Sequence, residues 1–191
     1  MTRVVLASAS PRRLELLKQI GVKDIIVRPA DVDESAFAGL DPETMVRELA
    51  RVKARAVMGF FGRETVVIGS DTAVTVDGET LGKPADAADA GRMLRRLSGR
   101  THSVLTGLCV AGDGREEVCC CRAEVCFREI TEEEIERCIE TKEPFDKAGA
   151  YGIQGRAAAF VKSVNGDYYS IVGLPLCRTS ELLREFGVNL F

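Results

Sequence analysis

Val4-Val5-Leu6-Ala7 runs without a spacer into Ser8-Ala9-Ser10-Pro11-Arg12-Arg13, and no other stretch restricts the possible folds as much. The apolar run reads as a strand buried on both faces. The polar stretch after it reads as a helix start, with Ser10 as N-cap, Pro11 at the first helical position, and an apolar stripe of Leu14, Leu17 and Ile20. A buried strand delivered straight into a helix is an α/β beginning. Its charge is unusual, because Arg12 and Arg13 fall in the first turn, where the macrodipole is already positive and backbone N–H groups point outward. Two readings are open. Ser8, Ser10, the amides and the two guanidiniums form a phosphate receptor, or the arginines are a solvated pair on a surface helix and Ser10 only caps.

Further along, Gly21 ends the first helix, Ile25-Ile26-Val27 reads as a short strand, and Arg28 to Ser35 is a loop carrying Asp31, Asp33 and Glu34. Asp41-Pro42-Glu43 starts a second helix, which keeps its period through Met45, Val46, Leu49, Val52 and Ala56 to about Met58 and contains Lys53. Thr65 to Ser70 is a central strand with Asp71-Thr72 at or just past its carboxyl end, where open α/β sheets place their ligands. Ala73 to Val76 continues extended, Asp77-Gly78-Glu79 turns, and Leu81-Gly82-Lys83-Pro84 is a loop before a helix over Asp86 to Leu97 that Gly99 closes.

The second half opens with an alternating hairpin, Thr101 to Ala111 against Glu116 to Arg128, turned at Gly112-Asp113-Gly114. Antiparallel pairing is thus mixed into the α/β pattern. Thr131 to Glu134 is a capping box on a helix that buries Ile135, Cys138 and Ile139, a structural use of an acidic run. Glu143 to Gly155 is dense in small residues that let backbone approach a ligand or another segment closely. Leu174-Pro175 introduces a last helix with Leu176, Leu182, Leu183 and Phe186 on its stripe and Gly187 at its end.

At 191 residues the chain can bury a full core, as one domain or two small lobes. No apolar run is long enough to span a membrane, and the N-terminus enters a strand with no signal peptide, so the expected location is the cytoplasm. Seven cysteines without a C-x-x-C pair fit reduced thiols better than disulfides or zinc. A net charge of −3 and no Trp give no broad basic face, so no nucleic-acid partner is expected.

Seven segments in order resemble one family, the Maf-like nucleoside triphosphate pyrophosphatases: Leu6 to Arg13 (LASASPRR), Val32 to Ser35 (VDES), Gly69 to Thr72 (GSDT), Leu81 to Pro84 (LGKP), His102 to Gly107 (HSVLTG), Asp146 to Gly155 (DKAGAYGIQG) and Gly166 to Pro175 (GDYYSIVGLP). The resemblance covers nearly the whole chain as a single domain, residues 1–191. It implies a two-lobed, mixed-sheet α/β fold related to inosine triphosphatase with a central cleft, and a cytoplasmic homodimer. The implied activity is cleavage of nucleoside triphosphates to monophosphate and pyrophosphate with a divalent metal, Mg²⁺ or Mn²⁺. Within the family the neutral Gln154, with Arg12 and Thr72, resembles members acting on dTTP and UTP, with house-cleaning of modified pyrimidine nucleotides as an associated role. A 7-methyl-GTP pyrophosphatase and a nucleotide-binding regulator of cell division or septum formation are the alternatives.

That chemistry needs charge screening, an activated water and a base pocket. Arg12, Arg13, Lys53, Lys83 and Lys147 are the candidate cations, with Lys53 and Lys83 assigned to catalysis, and Ser8, Ser10 and Thr72 as further substrate contacts. Glu34 and Asp71 are the expected metal ligands, since magnesium takes one or two protein carboxylates besides phosphate oxygens; Asp31 and Asp33 are alternatives to Glu34. By resemblance Asp71 is also the proton acceptor. Gln154 offers one amide donor and one acceptor, complementing O4 and N3–H of uracil or thymine. His102 is expected to make a scaffold hydrogen bond, while Tyr151, Tyr168 and Tyr169 either stack on a base or pack internally.

Overall fold

In the computed structural model, which describes residues 2–62 and 64–191, the opening junction folds as a strand, β1 (Arg3–Leu6), leading into α1 (Pro11–Gln19) with Ser10 at its N-cap. The buried side of α1 carries Leu16 and Leu17, whereas Leu14 stays half-buried. The expected stripe is therefore shifted toward Leu16. Gly21, at φ +85°, lets the chain leave the helix, and β2 (Ile26–Val27) pairs parallel with β1, Val5 opposite Ile26. The acidic loop is not wholly irregular, because Glu34–Phe37 forms a 3₁₀ turn capped by Asp33.

α2 (Pro42–Met58) begins at Asp41, whose carboxylate accepts from the Thr44 amide at 3.1 Å. β3 (Thr65–Val76) is longer than its apolar run indicated. Asp71 and Thr72 lie within the strand and not at its end. The reason is a change of partner: β1 accompanies β3 in parallel only as far as Leu6 opposite Ile68, and β4 (Glu79–Leu81) takes up antiparallel pairing from Val74. The chain continues through α3 (Ala87–Leu97), β5 (Thr101–Gly112), β6 (Arg115–Phe127), α4 (Glu132–Glu140), β7 (Val161–Gly166), α5 (Tyr168–Val172) and α6 (Leu176–Glu185). Among the described residues the strands form a seven-stranded mixed sheet in the order β2-β1-β3-β5-β6-β7, with β4 beside β3. The fold class is mixed α/β.

Two compact units share this chain. The first comprises Met1–Asp71, Thr106–Cys121 and Gly173–Phe191. Its core gathers Val5, Ala7, Ala50, Ala54, Val57, Val67, Cys109 and Ala111, so α2 lies on β1, β3 and β5. Two glycines set how closely it lies. A Cβ on Gly69 would fall 2.1 Å from the Ala50 carbonyl oxygen, and one on Gly107 would fall 2.0 Å from that of Val46. The helix backbone rests directly on strand backbone at both points.

The second unit comprises Thr72–Leu105 and Arg122–Val172. Its β3–β4 hairpin closes through Asp77 and Gly78 at φ 51° and 77°, the left-handed pair that a two-residue turn requires. α4 carries the expected capping box between Thr131 and Glu134, and buries Ile135 and Cys138 while Ile139 remains half-buried. His102, Phe127 and Tyr151 pack edge to face, with Phe127 4.9 Å from His102 and 4.8 Å from Tyr151 between ring centroids. β7 pairs antiparallel with the end of β6, from Ala123 opposite Gly166 to Phe127 opposite Val161. Neither β7 nor α5 was anticipated.

Candidate active site

In the first unit, three elements converge on one ammonium group. Lys53 lies on the sheet-facing side of α2 next to Ala54, whose amide also borders Gly69. Its Nζ sits 2.6 Å from Asp71 Oδ1 on β3 and 2.6 Å from Glu34 Oε1 on the 3₁₀ turn. The Lys53 and Asp71 side chains are 13% and 15% exposed, against 58% for Glu34. One cation therefore faces two carboxylates, leaving one negative charge over, at a partly dry position where such contacts are stronger than on an open surface. Asp33 is engaged differently: its carboxylate accepts from the Ser35 amide at 3.0 Å and the Ser35 hydroxyl at 2.6 Å, bonds that hold it below the usual range. Of the acidic loop residues, Glu34 is the one the structure brings to Asp71 and Lys53.

The start of α1 forms the adjoining wall. Ser10 is in N-cap conformation, but its hydroxyl makes no capping bond. Ser8 Oγ instead accepts from the Ser10 amide at 3.2 Å and from Arg13 Nη1 at 3.0 Å. Arg13 Nε donates to the Gly173 carbonyl at 2.8 Å, and the buried Ser70 hydroxyl donates to the same oxygen at 2.9 Å. Burial lowers the Arg13 pKa, Asp71 opposes that shift, Arg12 adds to it and Glu34 opposes it. Arg12, Glu34 and Asp71 thus lie within electrostatic reach of Arg13. Arg13 ties α1 to the segment before α6. Ser70 and Gly173 are parts of this arrangement that sequence reasoning missed, since Gly173 lies 160 residues from Arg13 and 103 from Ser70, separations that leave no local signal.

In the second unit, Thr72 follows on β3 and is half-buried, and Lys83 is exposed in the loop after β4. The Gly149 amide donates to the Gly82 carbonyl at 3.0 Å, joining that loop to the Gly-rich segment. Lys147 Nζ donates to the Glu143 carbonyl at 2.8 Å and pairs with Asp146 Oδ1 at 2.5 Å. Gln154 is exposed on the same segment. Beneath it lies a residue not singled out beforehand: Glu143 Oε2 accepts from the Arg156 amide at 3.0 Å, and its Oε1 occupies the space a Cβ on Gly155 would take, 1.5 Å away. The Glu-Pro pair ahead of the Gly-rich stretch was the available signal.

His102 belongs to the scaffold. Its Nε2 shares a 2.8 Å hydrogen bond with the Tyr151 hydroxyl, and burial pushes its pKa down to about 4. Tyr151 packs internally, and Tyr168 and Tyr169 contact each other edge to face.

No group of three or more His, Cys, Asp or Glu side chains gathers as a metal cage among the described residues. Glu34 and Asp71, two hard oxygen donors meeting at one positive charge, nevertheless fit a divalent cation that takes one or two protein carboxylates. Among the described residues no helix is long and apolar enough to cross a membrane.

The family described as Maf-like protein matches residues 3–186. A dTTP/UTP pyrophosphatase of Symbiobacterium thermophilum is 50% identical over 191 residues, covering 100% of this chain and 97% of that protein. One of Moorella thermoacetica is 49% identical over 193 residues, covering 100% and 98%. Among solved structures, a HAM1 protein from Coxiella burnetii aligns over 66% of this chain and 73% of its own, with a TM-score of 0.43 and 21% identity.

Proposed function

Because the chain belongs to the Maf-like protein family, we propose that it hydrolyses nucleoside triphosphates, dTTP and UTP by preference, to the monophosphate and pyrophosphate. The observation that carries this reading is the Glu34–Lys53–Asp71 constellation beside Arg12 and Arg13. Asp71, hydrogen-bonded to the Lys53 ammonium at 2.6 Å, accepts a proton from the attacking water. Lys53 holds the carboxylate in place and spreads positive charge toward the phosphates. Ser8, Ser10, Arg12 and the first amides of α1 receive phosphate oxygens, and Arg13 fixes the start of the helix through Ser8 and Gly173. When bound, a divalent cation held by Glu34 and Asp71 supplies further neutralisation of phosphate charge. Thr72, Lys83, Lys147 and Gln154 contact the substrate in this proposal, as the resemblance implies, and Gln154 pairs with the pyrimidine edge. A single functional domain, a cytoplasmic homodimer and clearance of modified pyrimidine nucleotides complete the reading.

The test is pyrophosphate release from dTTP, UTP, CTP and 7-methyl-GTP in separate reactions, with and without Mg²⁺, by the wild type and by Asp71→Asn. Release from dTTP and UTP alone, dependent on Mg²⁺ and lost in the variant, supports the activity, the base preference, the metal dependence and the role of Asp71. Release from 7-methyl-GTP in preference overturns the base assignment, and tight binding of triphosphates without release favours a regulatory protein.

A further inference from the structure

Gln154 stands at the corner of a tight turn. The Gly155 amide donates to the Gly152 carbonyl at 3.0 Å, Ile153 is buried, and Gln154 is exposed. An amide side chain can turn over about its last bond, exchanging donor for acceptor, and it then complements cytosine as well as it did uracil. Telling the two bases apart therefore requires that the turn carrying the amide be held in one place.

The Glu143 side chain holds it. The Glu143 amide donates to Thr141 Oγ1 at 3.1 Å, Thr141 Oγ1 donates to the Cys138 carbonyl at 2.6 Å, and Pro144 is buried, so the residue is fixed to the end of α4. From there its carboxylate reaches the far end of the turn, where Oε2 accepts from the Arg156 amide at 3.0 Å. Both turn glycines leave room for side chains. A Cβ on Gly155 would fall 2.2 Å from Glu143 Cδ, and one on Gly152 would fall 3.3 Å from Glu143 Oε1 and 2.6 Å from Lys147 Cε. Oε1 itself is buried and meets no donor among the described residues. A buried acceptor left unpaired costs stability, so packing alone gives no reason for a carboxylate at this position. Placement of the turn does.

We propose that Glu143 is a positioning residue for base selection: it fixes the 152–155 turn so that Gln154 presents its amide to a uracil or thymine edge and not to cytosine. Glu143 acts through Gln154 and not on the reacting phosphates. The inference rests on the assignment of Gln154 to the pyrimidine edge, and the experiment separates the two.

The experiment measures pyrophosphate release from UTP and CTP, which differ only in the base, by the wild type, Glu143→Ala, Glu143→Gln, Gln154→Ala and the double alanine variant, with a melting curve on each. Glu143→Ala should lower the ratio of kcat/KM for UTP to that for CTP by about tenfold, the weight of one hydrogen bond. The loss should fall on KM for UTP, with kcat within about threefold of wild type. Glu143→Gln keeps the shape and an oxygen for the Arg156 amide, and should restore most of the ratio. In the double variant the ratio should fall no further than in Gln154→Ala, because both changes remove one effect. Should Glu143→Ala not fold, Glu143→Asp, which withdraws the carboxylate by one methylene, takes its place in the comparison. Equal losses for UTP and CTP in a folded Glu143 variant, or additive effects in the double variant, overturn the proposal and leave the base assignment standing. A ratio unmoved by Gln154→Ala overturns both.

Discussion

Lys53 Nζ donates to Asp71 Oδ1 at 2.6 Å, and Glu34 shares the same ammonium. Removing the Asp71 charge therefore does not strand a cation. Asp71→Asn should lower turnover by about 10²- to 10⁴-fold, the usual contribution of a positioned base. Its thermal midpoint should stay within a few degrees of wild type. Pyrophosphate release and a melting curve on the same preparation check both halves. An unfolded variant would make Asp71 a structural residue.

Gly69 is what allows Lys53 to reach that carboxylate. The atoms that an added Cβ would strike, Ala50 O at 2.1 Å and Ala54 N at 2.9 Å, are helix backbone and cannot swing aside. Gly69→Ala should push α2 off β3, cost about 1–3 kcal/mol in urea denaturation as an overpacked site does, and lower kcat along with stability. Gly78→Ala is a comparison at a position with no atom within 4 Å but with φ +77°. It should cost stability through the turn conformation alone and leave kcat unchanged.

Arg13 divides its guanidinium between Ser8 Oγ and the Gly173 carbonyl. Hydrogen bonds to a charged group contribute about 1.5–3 kcal/mol, so Arg13→Gln should destabilise the protein by about 2–3 kcal/mol in urea titration. Arg13→Lys should recover little of it, because an ammonium lacks the planar fork that serves both acceptors. Full recovery by lysine would mean that charge alone matters there.

His102 gives stability a defined pH dependence. Its pKa is depressed from 6.5 to about 4 by burial, so the unfolded chain takes up a proton in that interval and the folded chain does not. The contribution is fully present above pH 6.5, is lost progressively as pH falls toward 4, and changes no further below it. Over the whole window the loss is about 3 kcal/mol. His102→Gln keeps a polar group near Tyr151 without titrating, and should flatten this part of the stability profile measured by urea midpoints between pH 7 and 4.

Sequence reading succeeded where structure is decided locally. Asp41 before Pro42, Asp86 before α3, and Thr131 with Glu134 each announce a helix start through a side chain that caps within a few residues. Asp77-Gly78 and Asp113-Gly114 announce hairpin turns through positive φ. β7 escaped notice because five of its six residues are exposed and it carries Lys162, Ser163 and Asn165, so it lacks the buried alternation of a strand with one face in a core. Asp71 was placed too near a strand end because the partner exchange from β1 to β4 leaves no mark in β3 itself. Glu34 and Asp71 come from two separate motifs and Lys53 from the second helix. Their meeting at one ammonium is a product of helix-on-sheet packing, as is the tie from Arg13 to Gly173.

The tie to Gly173 also fixes an order of events during synthesis. All residues of the second unit have been added once Val172 is in the chain, whereas the first still lacks Gly173–Phe191 at that stage. Chain elongation at roughly 5–20 residues per second is slow beside local folding. The carbonyl that anchors Arg13 is therefore added 160 residues after Arg13 itself, and the stretch from Ser8 to Arg13 gains its anchor only once the chain of the second unit has been made.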